Sequence, residues 1–250
     1  MEFKKLTLPN NLECYYLGKE ETEYIYSEIF TEQQYIRNGI AINEGNCIFD
    51  VGANIGLFSL FINKLQKKVK IYAFEPVREI FEILQANIRL HSVANISLFN
   101  YGLSSQNKAD VLFTFYPNMA GNSTIKPIEK LEQRKVMTSL LNEEKVKYLF
   151  QSQLVKGEVK TLSSIVNDLN IRSIDLLKID VEGEEYQVLQ GINQSDWKKI
   201  KQVVIEVHAR EGRLERIQEI LTNNEFNVVV EKNSLVPDTL NTFNVYGVRP

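Results

Sequence analysis

The feature that most constrains this chain is an alternation of short apolar runs with segments of helical period. That pattern is the signature of a mostly parallel sheet covered by helices on both faces. The first run is Cys47-Ile48-Phe49-Asp50-Val51, closed by Gly52-Ala53-Asn54-Ile55-Gly56, with a helix expected from about Leu57. Further strands are predicted at 71–75, 96–100, 174–180, 203–208, 226–230 and 242–248. After the second strand, Ile80, Leu84 and Ile88 recur at four-residue spacing beside Phe81 and mark a helix with one apolar face. Tyr186, Val188 and Leu189, then Leu214, Ile217 and Leu221, mark two more.

Two regions stand outside the alternation. Residues 1–45 read as an N-terminal helical cap, with Tyr24, Ile25, Ile29, Phe30, Tyr35 and Ile36 along an amphipathic stretch. The remaining 46–250 form the main domain, interrupted at 105–170 by an insert. The insert is predicted to hold a strand at 111–116, a Gly/Asn/Pro-rich loop, a charged helical stretch and a strand at 155–161. A long insert at the ligand edge of such a sheet commonly serves as a lid or a substrate pocket.

Composition excludes several classes. A 250-residue chain that is 44% hydrophobic can bury a full core without staples. Its net charge of −3 gives no electrostatic case for nucleic acid as a partner. The short basic clusters at Lys67, Lys68 and Lys70, and at Lys198, Lys199 and Lys201, read as solvated surface. Cys14 and Cys47 make neither a disulfide framework nor a zinc site. The opening Met-Glu-Phe-Lys-Lys lacks the apolar stretch of a signal peptide. No window approaches ~18 consecutive apolar residues, so no membrane span is expected. A reduced cytoplasmic setting fits these observations.

Charge selects the ligand of the Asp50–Leu57 turn. Its glycines suit a nucleotide at a helix N-terminus, but Asn54 takes the middle glycine position of the dinucleotide pattern. A pyrophosphate would lie beside Asp50 with no Lys or Arg between residues 46 and 63. Asp50, Glu75 and Asp180 end three strands, which makes the carboxyl edge electronegative and suited to a cation. S-adenosylmethionine brings an ammonium and a sulfonium. Glu75 is placed to accept hydrogen bonds from ribose hydroxyls, and the turn Tyr101-Gly102-Leu103-Ser104 to flank the adenine.

Three stretches together resemble the FkbM-type methyltransferases over about residues 24–248: Phe49-Asp50-Val51-Gly52-Ala53-Asn54-Ile55-Gly56-Leu57-Phe58, then Phe74-Glu75-Pro76, then Leu177-Lys178-Ile179-Asp180-Val181-Glu182-Gly183-Glu184. The resemblance implies a class I methyltransferase fold, a Rossmann-like sheet of seven strands with the last inserted antiparallel. It also implies S-adenosylmethionine as methyl donor and, usually, an oxygen acceptor. Glu28-Ile29-Phe30 with Tyr35, and the loop Tyr116-Pro117-Asn118-Met119-Ala120-Gly121-Asn122-Ser123, resemble the branch associated with polyketide and nonribosomal-peptide assembly lines. That branch implies a small-molecule or acyl-carrier-protein-bound acceptor. The cofactor-binding set expected is Asp50, Gly52, Ala53, Asn54, Gly56, Glu75, Pro76, Gly102, Leu103, Ser104, Asp180, Glu182 and Tyr35.

Methyl transfer to oxygen is an in-line displacement, and orientation alone can supply ~7–11 kcal/mol. A hydroxyl acceptor still loses a proton, so a base or a metal helps. His208 ends the fifth strand with Glu206 on its side, whereas His91 falls in a surface connection. The catalytic candidates are His208, Asp180 and Glu206. The same three are also the candidate ligands of a divalent cation such as Mg²⁺. A sugar, a carboxylate, an amine or a nucleic-acid base is the rival acceptor, a non-catalytic docking module the rival class. Asp50 and Asn54 count against a nicotinamide dehydrogenase.

Overall fold

The computed structural model describes residues 3–250; Met1 and Glu2 of the opening Met-Glu-Phe-Lys-Lys lie outside the described residues. The N-terminal segment is not wholly helical, as expected of it, but opens with a hairpin of β1 (Lys4–Leu8) and β2 (Leu12–Tyr16). The Pro9-Asn10-Asn11 turn makes it possible, because both asparagines take left-handed backbone (φ 59° and 55°). Helix α1 (Lys19–Tyr26) follows and widens into a π turn over Ser27–Thr31.

The main domain then runs β3 (Cys47–Val51), α2 (Leu57–Leu65), β4 (Lys70–Phe74), α3 (Arg78–Leu90), β5 (Ile96–Phe99) and the short β6 (Gly102–Leu103). The insert supplies β7 (Lys108–Phe115), α4 (Lys130–Leu140), α5 (Glu143–Leu149) and β8 (Gln153–Lys160). After it come α6 (Leu162–Asp168), β9 (Leu176–Ile179), α7 (Glu185–Gln190), α8 (Gln194–Trp197), β10 (Gln202–His208), α9 (Arg213–Asn223), β11 (Asn227–Lys232) and β12 (Thr242–Val248). Helix α6 buries Leu162, Ile165 and Val166 in the main core. The insert therefore ends near Thr161 rather than at 170.

The seven-stranded sheet has the order β11-β12-β10-β9-β3-β4-β5. Only β12 is reversed: it pairs antiparallel with both β10 and β11, while the other described pairs of this sheet are parallel. Strand alternation splits the core in two. Phe49, Val51, Leu177, Ile179, Val203 and Ile205 face one helical layer with Leu162, Val188, Ile217 and Leu221. Ile48, Ile71, Leu176, Val204 and Tyr246 face the other, against α2, α3 and the N-terminal segment. Asp50, Lys178, Glu206 and His208 alternate onto this second face, which is why the site forms beneath the N-terminal segment. A separate three-stranded sheet, β6-β8-β7, braces the insert. Among the described residues no helix is long and apolar enough to cross a membrane.

Candidate active site

A cavity of about 720 Å³ opens at the carboxyl edge of the parallel strands, between the N-terminal segment and the insert. Its floor is the turn after β3. Gly52 has φ +78°, and a Cβ there would lie 1.8 Å from the Asp180 carbonyl oxygen, so only glycine lets this turn cross the end of β9. The turn keeps its amides for itself. Gly52 and Ala53 donate to the Phe74 carbonyl (3.1 and 2.9 Å), and Asn54 donates to Glu75 Oε2 (3.0 Å). None of these three amides is left for a phosphate. Asn54 Oδ1, by contrast, is buried with no partner and lines the cavity.

Glu75 is buried at the end of β4, where Val77 donates to its other oxygen at 3.0 Å. Burial outweighs those two hydrogen bonds and pushes its carboxyl up to about 7. Each oxygen accepts one backbone hydrogen bond and so retains a further lone pair, and the residue lines the cavity.

Lys178 lies under the turn, on the face where β9 would otherwise be apolar. Its ammonium donates to the Gly52 carbonyl (2.8 Å) and stands 3.3 Å from Asp50 Oδ1 and 3.4 Å from Asp180 Oδ2. Burial alone would strip its proton, but Asp50 and Asp180 outweigh that and hold its pKa above the ordinary lysine value. Tyr35, whose ring faces the ammonium, donates its hydroxyl to Asp180 Oδ2 at 3.1 Å. Burial pushes that phenol well up, so it remains a donor.

The turn after β9 is clamped from the insert. Glu182 takes a left-handed backbone (φ 52°), and its carbonyl accepts from Thr124 Oγ1 at 2.7 Å. Its carboxylate pairs with Lys130, itself anchored to Asn122 Oδ1 at 3.3 Å. His208 Nε2 stands 2.9 Å from Glu182 Oε2 without a well-aligned hydrogen bond, so the contact is electrostatic. Burial favours the neutral ring, yet the Glu182 carboxylate outweighs it and raises His208 above 6.5. In return, although burial raises Glu182, Lys130 and His208 carry it down to about 2.

Glu206 lies deeper on β10. Asn233 Nδ2 donates to Glu206 Oε2 (3.0 Å) and to Glu28 Oε1 (3.2 Å). Burial, then the surrounding carboxylates, push Glu206 well above the usual range and Glu28 up to about 7.

Most of the expected cofactor set meets at this cavity: Gly52, Ala53, Asn54, Glu75, Pro76, Gly102, Leu103, Asp180, Glu182 and Tyr35 line it, as do Glu206 and His208. Three residues do not. Asp50 is fully buried beneath the turn, accepting from Ser59 Oγ at 2.8 Å and neutralised by Lys178, so its charge is not offered to a ligand. Gly56 is required by packing: its φ is +92°, and a Cβ would meet Leu84 Cδ1 at 2.5 Å. Ser104 turns away and donates to Glu184 Oε2 at 3.3 Å. The expected metal set fails too. His208 faces Glu182 rather than Asp180, Asp180 is bonded to Tyr35 and Lys178, and no group of three or more His, Cys, Asp or Glu among the described residues is arranged to hold a metal. Sequence reasoning missed Lys178, Lys130 and Glu28.

A seven-stranded sheet with one reversed strand inserted next to its end, and a cavity at the carboxyl edge of the parallel strands, define a class I methyltransferase fold. Residues 50–231 match the family model of the methyltransferase FkbM domain. The 31-O-demethyl-FK506 methyltransferase FkbM of Streptomyces tacrolimicus is 35% identical over 243 residues, covering 94% of this chain and 93% of the relative. The AMB antimetabolite synthetase AmbE of Pseudomonas aeruginosa is 31% identical over 270 residues, covering 98% of this chain and 12% of the synthetase. The crystal structure of methyltransferase FkbM from Methylobacillus flagellatus KT shares the fold with a TM-score of 0.56 at 16% identity, over 85% of this chain and 46% of that one. The chain belongs to the FkbM methyltransferase family.

Proposed function

We propose that this chain binds S-adenosylmethionine in the strand-edge cavity and transfers its methyl group to a hydroxyl of a small-molecule or acyl-carrier-protein-bound natural-product intermediate. The observation that carries the reading is the cavity itself, which unites Glu75 and the Gly52–Asn54 turn with Asp180, Glu206 and His208. Glu75 accepts from the ribose hydroxyls through its free lone pairs. The unpartnered Asn54 Oδ1 takes a donor, Gly102 and Leu103 flank the adenine, and Asp180 with its Tyr35 contact faces the cationic end. The cofactor supplies an electrophilic methyl group. The protein fixes the acceptor in line with it and receives the acceptor's proton. Glu182 raises the His208 pKa and so disfavours the neutral ring a base needs, whereas Asp180 and Glu206 line the same cavity. Similarity to an FK506-pathway methyltransferase and to an antimetabolite synthetase supports an acceptor from natural-product assembly. Two free cysteines suit a cytoplasmic setting.

Calorimetry tests the cofactor assignment. The protein is expected to bind S-adenosylhomocysteine and not NAD. Glu75→Ala is expected to weaken that binding by about 1.5–3 kcal/mol, the worth of hydrogen bonds to a charged acceptor. Equal affinity in wild type and variant would sink the ribose assignment, and preferential NAD binding would sink the cofactor.

A further inference from the structure

Strand pairing builds a polar block on the sheet face that the N-terminal segment covers. Glu206 lies opposite Asn244, and His208 opposite Thr242, across the β10–β12 ladder. One pair further along, Val204 and Tyr246 are buried in the apolar core. Against this block the N-terminal segment sets Glu28, carried inward by the π turn, a feature often found at functional sites. Glu28 and Glu206 accept from the same Asn233 nitrogen, which brings two largely buried carboxyls together, and like charges that close disfavour ionisation of both. Independently, Thr242 is 2% exposed and lines the cavity, and its hydroxyl has no partner. Buried hydroxyls are almost always paired, so this one faces a polar group the protein does not supply.

We propose that Glu28 and Glu206 share a single proton and, with Thr242, form the subsite for an alcohol acceptor, with Glu206 taking the hydroxyl proton. The proposal rests on the methyltransferase reading above. As the acceptor oxygen bonds to the methyl carbon, the carbon–sulfur bond breaks and leaves its electron pair on sulfur; the hydroxyl proton passes to Glu206. A hydroxyl fits because it donates and accepts at once: it gives its proton to the carboxylate and accepts from Thr242. A protonated amine has no lone pair for the Thr242 donor. A carboxylate or phosphate brings negative charge against Glu28, Glu206, Asp180 and Glu182. The other groups facing the pair are Lys178 on β9, His208 at 3.9 Å from Glu206 Oε1, and Tyr24 and Tyr35 of the N-terminal segment. Burial and the neighbouring acids hold both carboxyls above the ordinary range, which strengthens them as proton acceptors.

The test joins a protein-only readout to turnover. With ¹³C-labelled glutamate and S-adenosylhomocysteine bound, NMR is expected to show one carboxyl proton retained through pH 7. In Glu28→Gln the remaining carboxyl should ionise at lower pH, because the like charge is gone. With a panel of alcohols and their matched acids and amines, Glu206→Gln is expected to cut kcat by ~10²–10⁴ at unchanged S-adenosylhomocysteine affinity. Thr242→Val should raise KM about tenfold, and Thr242→Ser should restore it. Two ionised carboxyls at pH 6, or full turnover in Glu206→Gln, overturn the proposal. Should Glu28→Gln fail to fold, the wild-type titration and the Thr242 pair decide it. A wild type that methylates only acids or amines overturns the alcohol subsite and leaves methyl transfer standing; failure to bind S-adenosylhomocysteine overturns methyl transfer itself.

Discussion

Replacing Lys178 with Met isolates the charge that fastens the cofactor turn to the sheet. The lysine side chain is 4% exposed and Asp50 is 0% exposed, whereas Asp180 keeps 27% and can be rehydrated. The penalty therefore falls mainly on Asp50, left as an uncompensated carboxylate with only the Ser59 hydroxyl as donor. Removing one partner of a buried ion pair costs about 3–5 kcal/mol. The orphaned Gly52 carbonyl falls within that range. For a domain of this size each kcal/mol shifts Tm by about 2–4 °C, so Lys178→Met is expected to lower Tm by roughly 6–20 °C. Trp197, the chain's one tryptophan and buried against Phe226, reports unfolding by fluorescence. The decisive comparison is Asp50→Asn added to Lys178→Met. With both charges gone, more than half of the lost stability is expected back, since the penalty lies in the stranded charge. A single variant within about 1 kcal/mol of wild type, or a double variant weaker than the single, would falsify the account.

Three further outcomes concern Glu21 and His208. Glu21 accepts from the Ala120 and Gly121 amides at 2.8 Å each, tying α1 to the insert, and burial pushes its pKa from 4.5 to about 7. A group that holds its proton more tightly in the closed arrangement favours closure at low pH, so exchange of those two amides, corrected for intrinsic rate, should quicken between pH 4.5 and 7; Glu21→Gln should erase the trend, and a flat wild-type profile would refute it. His208→Asn should leave turnover within about tenfold, and a kcat loss of ~10²–10⁴ would return the base to the imidazole. Because His208 is raised above 6.5, its contact with Glu182 stabilises fully below that pH and fades as pH climbs through the raised value, so the Tm gap to His208→Asn should narrow with rising pH.

The sheet was legible because apolar runs such as 47–51 and 203–208 are bounded by turns and admit one period only. The site was legible in outline because ligands collect at the carboxyl ends of parallel strands. What escaped was pairing across the fold. Lys178 sits in an apolar strand, and nothing local reveals that Asp50, remote in sequence, waits beneath it. Asp50 itself read as an acid offered to a cation for the same reason. Glu28 entered only as part of the Glu28-Ile29-Phe30 motif, and the π turn that carries it inward is invisible to a 3.6-residue period. The hairpin was signalled by Pro9-Asn10-Asn11, but its strands are short and partly exposed, so their alternation is faint.

The N-terminal segment belongs to the site in an energetic sense, beyond covering it. Gln34, 1% exposed, accepts from Asn244 at 2.7 Å and donates to Asn233 at 3.2 Å, while its carbonyl accepts from the Tyr246 hydroxyl at 2.7 Å. Asn233 then holds Glu28 and Glu206, and Tyr35, the next residue along, holds Asp180. Removing the segment would therefore uncover apolar core and also strand several buried amides and two carboxylates, each short of a partner. On the proposed reading, acceptor choice then depends on the segment as well as on the loops of the insert. Gln34 is bonded to Asn233 and Asn233 to Glu28 and Glu206, so a change in the segment that moves Gln34 is passed to the two carboxyls proposed to face the acceptor. On the proposed reading, specificity and stability are coupled through one amide, and a substitution tolerated by the sheet alone can still misplace Glu206.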